Sequence, residues 1–179
     1  GKAINTHNRG QSFFTLIGRH DDHRDALVNA LYQRDLMQQG LVIYHDYRNL
    51  DNAVTKLLAN QHPEDKFIKD FDNYELDRVW HDGQPNKNYY ETYNLEIVTE
   101  TTVNAHFLTE KTIKPLVSKM PFLTVSSPGY LKYLQNIGYK TFSNVFDESY
   151  DNITNTALRV QAIADTLATL VSTNQIYNL

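Results

Sequence analysis

The chain has 179 residues, enough for one α/β domain or two small ones, and its 17 Lys+Arg against 21 Asp+Glu give a formal net charge of −4. That balance supplies no global basic field for nucleic acid, and the absence of cysteine excludes a disulfide framework, a thiolate zinc site and a cysteine nucleophile. No apolar run approaches the roughly 20 residues that cross a bilayer, and the opening GKAINTHNRG lacks the apolar core of a signal peptide, so a cytoplasmic protein without a membrane span is expected.

Residues 12–17 (SFFTLI) form a β-prone apolar run closed by Gly18, and residues 21–37 then carry helical periodicity, with Asp21 and Asp22 as N-cap candidates and Gly40 as the C-cap candidate. Residues 41–44 (LVIY) are short enough for a buried parallel strand. A polar stretch follows over 46–88, with helical patches at 52–60 and 74–80 and a turn-rich loop at 81–88 (HDGQPNKN). Residues 93–102 form a third strand, and 109–119 a helix that Pro115 interrupts. Residues 121–126 (PFLTVS) form a fourth strand, 130–136 a helix ended by Gly138, and 141–146 a short fifth strand. After the acidic DESYD run at 147–151, residues 155–172 make the longest amphipathic helix, offering Leu158, Ala162, Ala164, Leu167, Ala168 and Val171 for burial. Strands alternating with helices predict a Rossmann-like, doubly wound parallel sheet of about five strands, occupying 1–179 as one domain. Its ligand site is expected beyond the carboxyl ends of the strands.

Three clusters fall just after strands. In GRHDDHR (18–24) a helix starting near Asp22 puts Arg24 on the face shared with Leu27, Val28 and Leu31, the side toward the sheet. A guanidinium fork beside a helix N-terminus suits a phosphate or diphosphate, while a structural pairing with Asp21 or another carboxylate accounts for it equally well. His20, Asp21, Asp22 and His23 are possible metal ligands by type, but they follow no familiar zinc spacing, and capping is the preferred reading. Glu100 and Thr101 end the third strand, and Phe107, Thr109, Glu110 and Lys111 open the next helix. There Thr109 can cap, a carboxylate can accept both hydroxyls of a ribose, and Lys111 with the helix N–H groups can hold a diphosphate; Thr-Glu is also ordinary helix-start grammar. GxSxG, GxGxxG and GxxxxGK[ST] are all missing.

The segment HFLTEKTIKPLVSKMPFLTVSSPGYLKYLQNIGYKTF (106–142), followed by DESYD, resembles the YVTEK segment, helix and short strand of the α1,3-fucosyltransferases, GT-B enzymes that use GDP-fucose. It is more similar still to the fucosyltransferase-like proteins of phages and environmental bacteria. The order of clusters is also similar: the family has an arginine at a helix start, a strand ending in FEN and then YVTEK, and this chain has HDDHRDAL, TET and FLTEK. The resemblance covers about residues 10–172, the donor-binding half of such an enzyme, and is most specific over 107–150. It implies that Arg24 and Lys111 neutralise the donor diphosphate as catalytic groups, that Glu110 binds the ribose, and that Glu100 sits at the nucleotide or sugar end. Thr101 stands where the family has Asn and Phe107 where it has Tyr, so the base and sugar contacts, and GDP-fucose itself, do not transfer directly.

The implied activity is glycosyl transfer from a nucleotide sugar to an acceptor hydroxyl, with charge stabilisation on the leaving diphosphate and no metal or cofactor. The acceptor base is expected from an N-terminal half. The start on glycine and the length suggest a piece of a longer enzyme whose acceptor domain is missing. The alternative is a non-catalytic nucleotide-binding, glycan-binding or assembly domain of a phage particle, for which the 12 tyrosines and 8 phenylalanines could line a surface or simply fill a core. The acids of DESYD fit either a site-adjacent role or a cap on the final helix.

Overall fold

The computed structural model describes residues 10–61 and 87–179. The predicted helical patch at 74–80 lies outside the described residues, as does nearly all of the 81–88 loop. In chain order the elements are β1 (Gln11–Ile17), α1 (Asp22–Tyr32), β2 (Leu41–Tyr44), α2 (Asn52–Gln61), α3 (Lys87–Thr92), β3 (Tyr93–Thr99), α4 (Glu110–Val117), β4 (Phe122–Val125), α5 (Tyr130–Asn136) and α6 (Thr156–Ser172). Single 3-10 turns lie at Ser149–Asn152 and Gln175–Asn178.

The four strands form one parallel sheet in the order β2-β1-β3-β4, a Rossmann-like arrangement. Phe14 is paired with Leu41 on one side and Glu96 on the other, and Glu96 is paired in turn with Phe122. The main core gathers Phe13 and Ile17 of β1 and Leu95 and Ile97 of β3 under α1 and α6. On the other side Phe14 packs with Tyr90 of α3 and Met120. Burial of strands on both faces explains why their sequences read as continuous apolar runs.

Several expectations are corrected. Residues 141–146 are a turn and not a fifth strand: Val145 and Phe146 both donate to the Phe142 carbonyl. Phe142 and Phe146 then stack, and Phe142 meets Phe122 edge-on. Phe142, Val145 and Phe146 follow i, i+3, i+4 spacing, a helical period in a segment too short to declare it. The first helix stops at Tyr32, five residues early, and Asp35 then takes a left-handed φ of 56° that reverses the chain. β3 and β4 are likewise shorter than predicted at their ends. Pro115 lies inside α4, which runs on to Val117. Leu158, expected in the core, is 61% exposed, because α6 turns Arg159 inward in its place.

Gly40 does not cap a helix. A Cβ there would lie 2.5 Å from the Phe13 carbonyl oxygen and 2.7 Å from the Phe13 ring, so glycine permits β2 to enter beside β1. Gly40→Ala must displace backbone, and a loss of about 1–3 kcal/mol is expected in urea unfolding. A neutral result would show that β2 can enter at another depth.

Candidate functional site

The strand order places a topological switch point between β1 and β3, the crevice where parallel α/β sheets bind ligands. The loop after β1 leads into α1. Asp21 adopts extended backbone and caps that helix, its carboxylate accepting the His23 N–H. Short polar side chains do this well, which is why the start at Asp22 was readable from local sequence.

α1 sends two side chains across the switch point. Arg24, only 7% exposed, donates from Nη1 to the Arg19 carbonyl at 2.8 Å and from Nη2 to the Glu100 carbonyl at 3.2 Å. Its Nε is buried without a hydrogen-bond partner, and among the described residues no carboxylate forms an ion pair with it. The structural pairing of Arg24 with Asp21 is therefore not made. His23 bonds the same Glu100 carbonyl at 3.1 Å through Nε2, and Asp21 through Nδ1. Both ring nitrogens face acceptors, which favours a charged ring, but burial is the larger influence and pushes its pKa down.

The second basic side chain comes from the opposite side of the crevice. Thr109 caps α4, accepting the Lys111 N–H at 3.2 Å. The Lys111 ammonium lies 3.2 Å from the Thr101 hydroxyl and 2.9 Å from Glu110. Arg24 and Lys111 thus reach consecutive residues at the end of β3, Glu100 by its carbonyl and Thr101 by its hydroxyl. The Glu110–Lys111 pair is partly exposed, and the lysine holds the Glu110 pKa down although burial raises it. Phe107, 58% exposed, sits in the intervening loop.

Glu100 is placed differently from the other candidates. Its carboxylate is 1% exposed and accepts from the Thr109 N–H and hydroxyl, the Thr112 hydroxyl at 2.6 Å and the Tyr130 hydroxyl at 3.0 Å. Three hydroxyls and an amide replace its water, so the carboxylate fixes α4 against α5 while its carbonyl gathers Arg24 and His23. A fully engaged, buried carboxylate has no capacity left for a ribose in this arrangement. Glu110 keeps an exposed one.

The DESYD acids are fasteners. Asp147 accepts the Ser149 N–H and hydroxyl, Glu148 the Phe142 N–H and Thr141 hydroxyl. Asp151 accepts the Leu131 and Lys132 N–H groups at 3.0 and 3.2 Å, capping α5 from 20 residues away. The final helix, whose cap was one of the two roles open to these acids, is capped by Asn155.

Sequence reasoning missed two groups. His20 was weighed only as a metal ligand, without Asp25, and Glu96 was passed over inside an apolar strand, where a lone acid among NLEIV was itself a signal. Among the described residues no three His, Cys, Asp or Glu side chains group as a metal site, and no helix is long and apolar enough to cross a membrane. Comparison with protein-family models, curated proteins and solved structures gives no match for this chain.

Proposed function

We propose that the chain is the donor-binding domain of a fucosyltransferase-like glycosyltransferase, taking a nucleotide sugar in the crevice between the carboxyl ends of β1 and β3. The observation that carries the reading is the approach of Arg24 and Lys111 to adjacent residues, Glu100 and Thr101, at the topological switch point. Arg24 is buried, makes no ion pair within contact distance among the described residues and has its Nε without a partner, a state that an anionic ligand would complete. Lys111 is held by the Thr101 hydroxyl and by a partly exposed carboxylate, an ion pair worth about 0–1 kcal/mol that a diphosphate would outcompete. Exposed Phe107 offers a face on which a base can stack, and Glu110 a carboxylate for the ribose.

As the glycosidic bond breaks, negative charge grows on the leaving diphosphate, and two fixed cations stabilise it more than the ground state. Calorimetric titration of the chain with nucleoside diphosphates and their sugar conjugates is expected to show binding. Arg24→Ala and Lys111→Ala should each weaken it by about 1.5–3 kcal/mol, the scale of a charged hydrogen bond. A folded chain that binds none of these compounds would refute the donor-site reading.

A further inference from the structure

Two side chains of α1 converge on one carbonyl oxygen. The Glu100 carbonyl lies 3.2 Å from Arg24 Nη2 and 3.1 Å from His23 Nε2. The other nitrogen of the His23 ring, Nδ1, lies against Asp21 Oδ1, an oxygen that stands nearer to the ring than to the His23 N–H it caps, 3.3 Å away. A carbonyl and an ionised carboxylate only accept, whereas a neutral imidazole donates from one nitrogen and presents a lone pair on the other. In either neutral tautomer, one ring nitrogen therefore meets an acceptor with no proton between them. Only the imidazolium satisfies both contacts. A ring that merely braced α1 against β3 would need the Glu100 bond alone.

Two influences hold the second proton off. The His23 side chain is 2% exposed, so burial opposes the charge, and the neighbouring Arg24 guanidinium opposes it again; Asp21 and the Glu100 carbonyl pull the other way. The groups facing the ring are thus Asp21 from the loop, Arg24 from α1 and Glu100 from the end of β3. Arg19 and Tyr44 act in turn on Arg24, Tyr44 donates to Asp25, which also holds His20, and Lys111 enters at the next residue, Thr101. Of the influences that oppose the proton, burial is fixed by the fold, while the charge of Arg24 is one that a ligand can cancel. An anion on Arg24 removes that opposition and adds an attraction of its own.

We propose that His23 is a proton-linked part of the anion site: it gains a proton as an anion settles on Arg24, so that the bound anion meets two cations of α1 where the empty site presents one. The identity of the anion, the diphosphate of a nucleotide sugar, rests on the donor-binding reading above. The proton comes from solvent onto whichever ring nitrogen lacked it, and no covalent bond to the ligand forms or breaks. Linkage sets the sign. The anion raises the pH at which His23 titrates, so affinity is highest on the acid side and falls as pH rises through the window between the free and the bound titration.

Nuclear magnetic resonance of the imidazole nitrogens, followed in the folded chain from about pH 5 to about pH 8, reads each histidine separately across the range where imidazole titrates. Sodium sulfate is compared with sodium chloride at equal ionic strength, because sulfate keeps its charge throughout. His23 should titrate at higher pH in sulfate, while His106, whose Nε2 lies on the Pro128 carbonyl, should not move. Equal titration of His23 in the two salts overturns the proposal without any variant. GDP-fucose, whose two esterified phosphates also keep their charge, should bind about tenfold tighter at about pH 5 than at about pH 8, with uptake of a proton. His23→Gln should bind it at the weaker, alkaline level at every pH; a pH dependence that survives in this variant overturns the proposal. If GDP-fucose binds at no pH, the donor reading falls by itself and the sulfate comparison alone decides on His23.

Discussion

Glu96→Gln is expected to raise stability at alkaline pH and to flatten its dependence on pH between about 5 and 9. Glu96 lies in the middle of β3, buried, and accepts the Tyr90 hydroxyl at 2.6 Å. Burial pushes its pKa up to about 8, and the nearby Glu100 charge adds to this, against the pull of the Tyr90 hydrogen bond and the Lys114 charge. The sign follows from which state holds the proton. Below the ordinary carboxyl range both folded and unfolded chains are protonated, and the folded state is fully favoured. Between that range and about pH 8 the folded chain keeps a proton that the unfolded chain has lost, so stability falls as pH rises. One such proton gives a slope of up to about 1.4 kcal/mol per pH unit, and a total loss on the order of 3–5 kcal/mol. Glutamine keeps an acceptor for Tyr90 and never ionises. Burial acts on His23 in the opposite direction, lowering its pKa, so His23 costs stability only on the acid side of its ordinary range. Thermal unfolding across pH for both chains separates the two. A parallel decline in Glu96→Gln would assign the slope to another group.

Arg159→Met should destabilise the fold by about 3–5 kcal/mol, the sum of two well-made charged hydrogen bonds and the carbonyls they leave unpaired. Arg159 is 1% exposed at the start of α6. Its Nη1 donates to the Ile153 and Thr154 carbonyls, and its Nη2 donates to the Ser126 carbonyl at 2.6 Å and the Thr156 hydroxyl. The guanidinium thereby ties the last helix to the end of β4 and to the loop before it. Methionine keeps most of the apolar stem but offers no donor. Lysine should recover only part of the loss, because one ammonium lacks the planar fork that reaches both sides. Leu158→Ala, one residue away and on the exposed face, should change stability by less than about 0.5 kcal/mol. Urea unfolding of the three variants measures these differences. A larger cost at Leu158 than at Arg159 would mean that α6 is rotated from the position described.

That pair of neighbours shows where sequence reading reached its limit. The amphipathic pattern located α6 to within a residue of its start, with Asn155 supplying the cap. It did not set the rotation of the helix, because an arginine beside Leu158 carries no local sign of burial. Its burial becomes favourable only when the carbonyls of β4 and the preceding loop are brought around it. The candidate site divides in the same way. Asp21 and Thr109 were legible as caps, since a cap is satisfied within three residues. The engagement of Glu100 by Thr109, Thr112 and Tyr130 was not, because Tyr130 belongs to an element beyond β4. His20 and Asp25 are five apart in sequence, yet the Tyr44 and Asn49 bonds to Asp25 come from the end of β2 and the loop after it.

By itself, then, the sequence determined the α/β class, the places of four strands and most helices, and the two basic residues near strand ends. Hydrophobic period, caps and turn residues act over a few neighbours, and those signals survive in one dimension. The strand order, the switch point between β1 and β3, the convergence of Arg24 and Lys111 and the protonation of Glu96 were decided by tertiary structure alone. Each depends on which groups exclude water from one another across 20 to 80 residues of chain, and no local pattern encodes that exclusion.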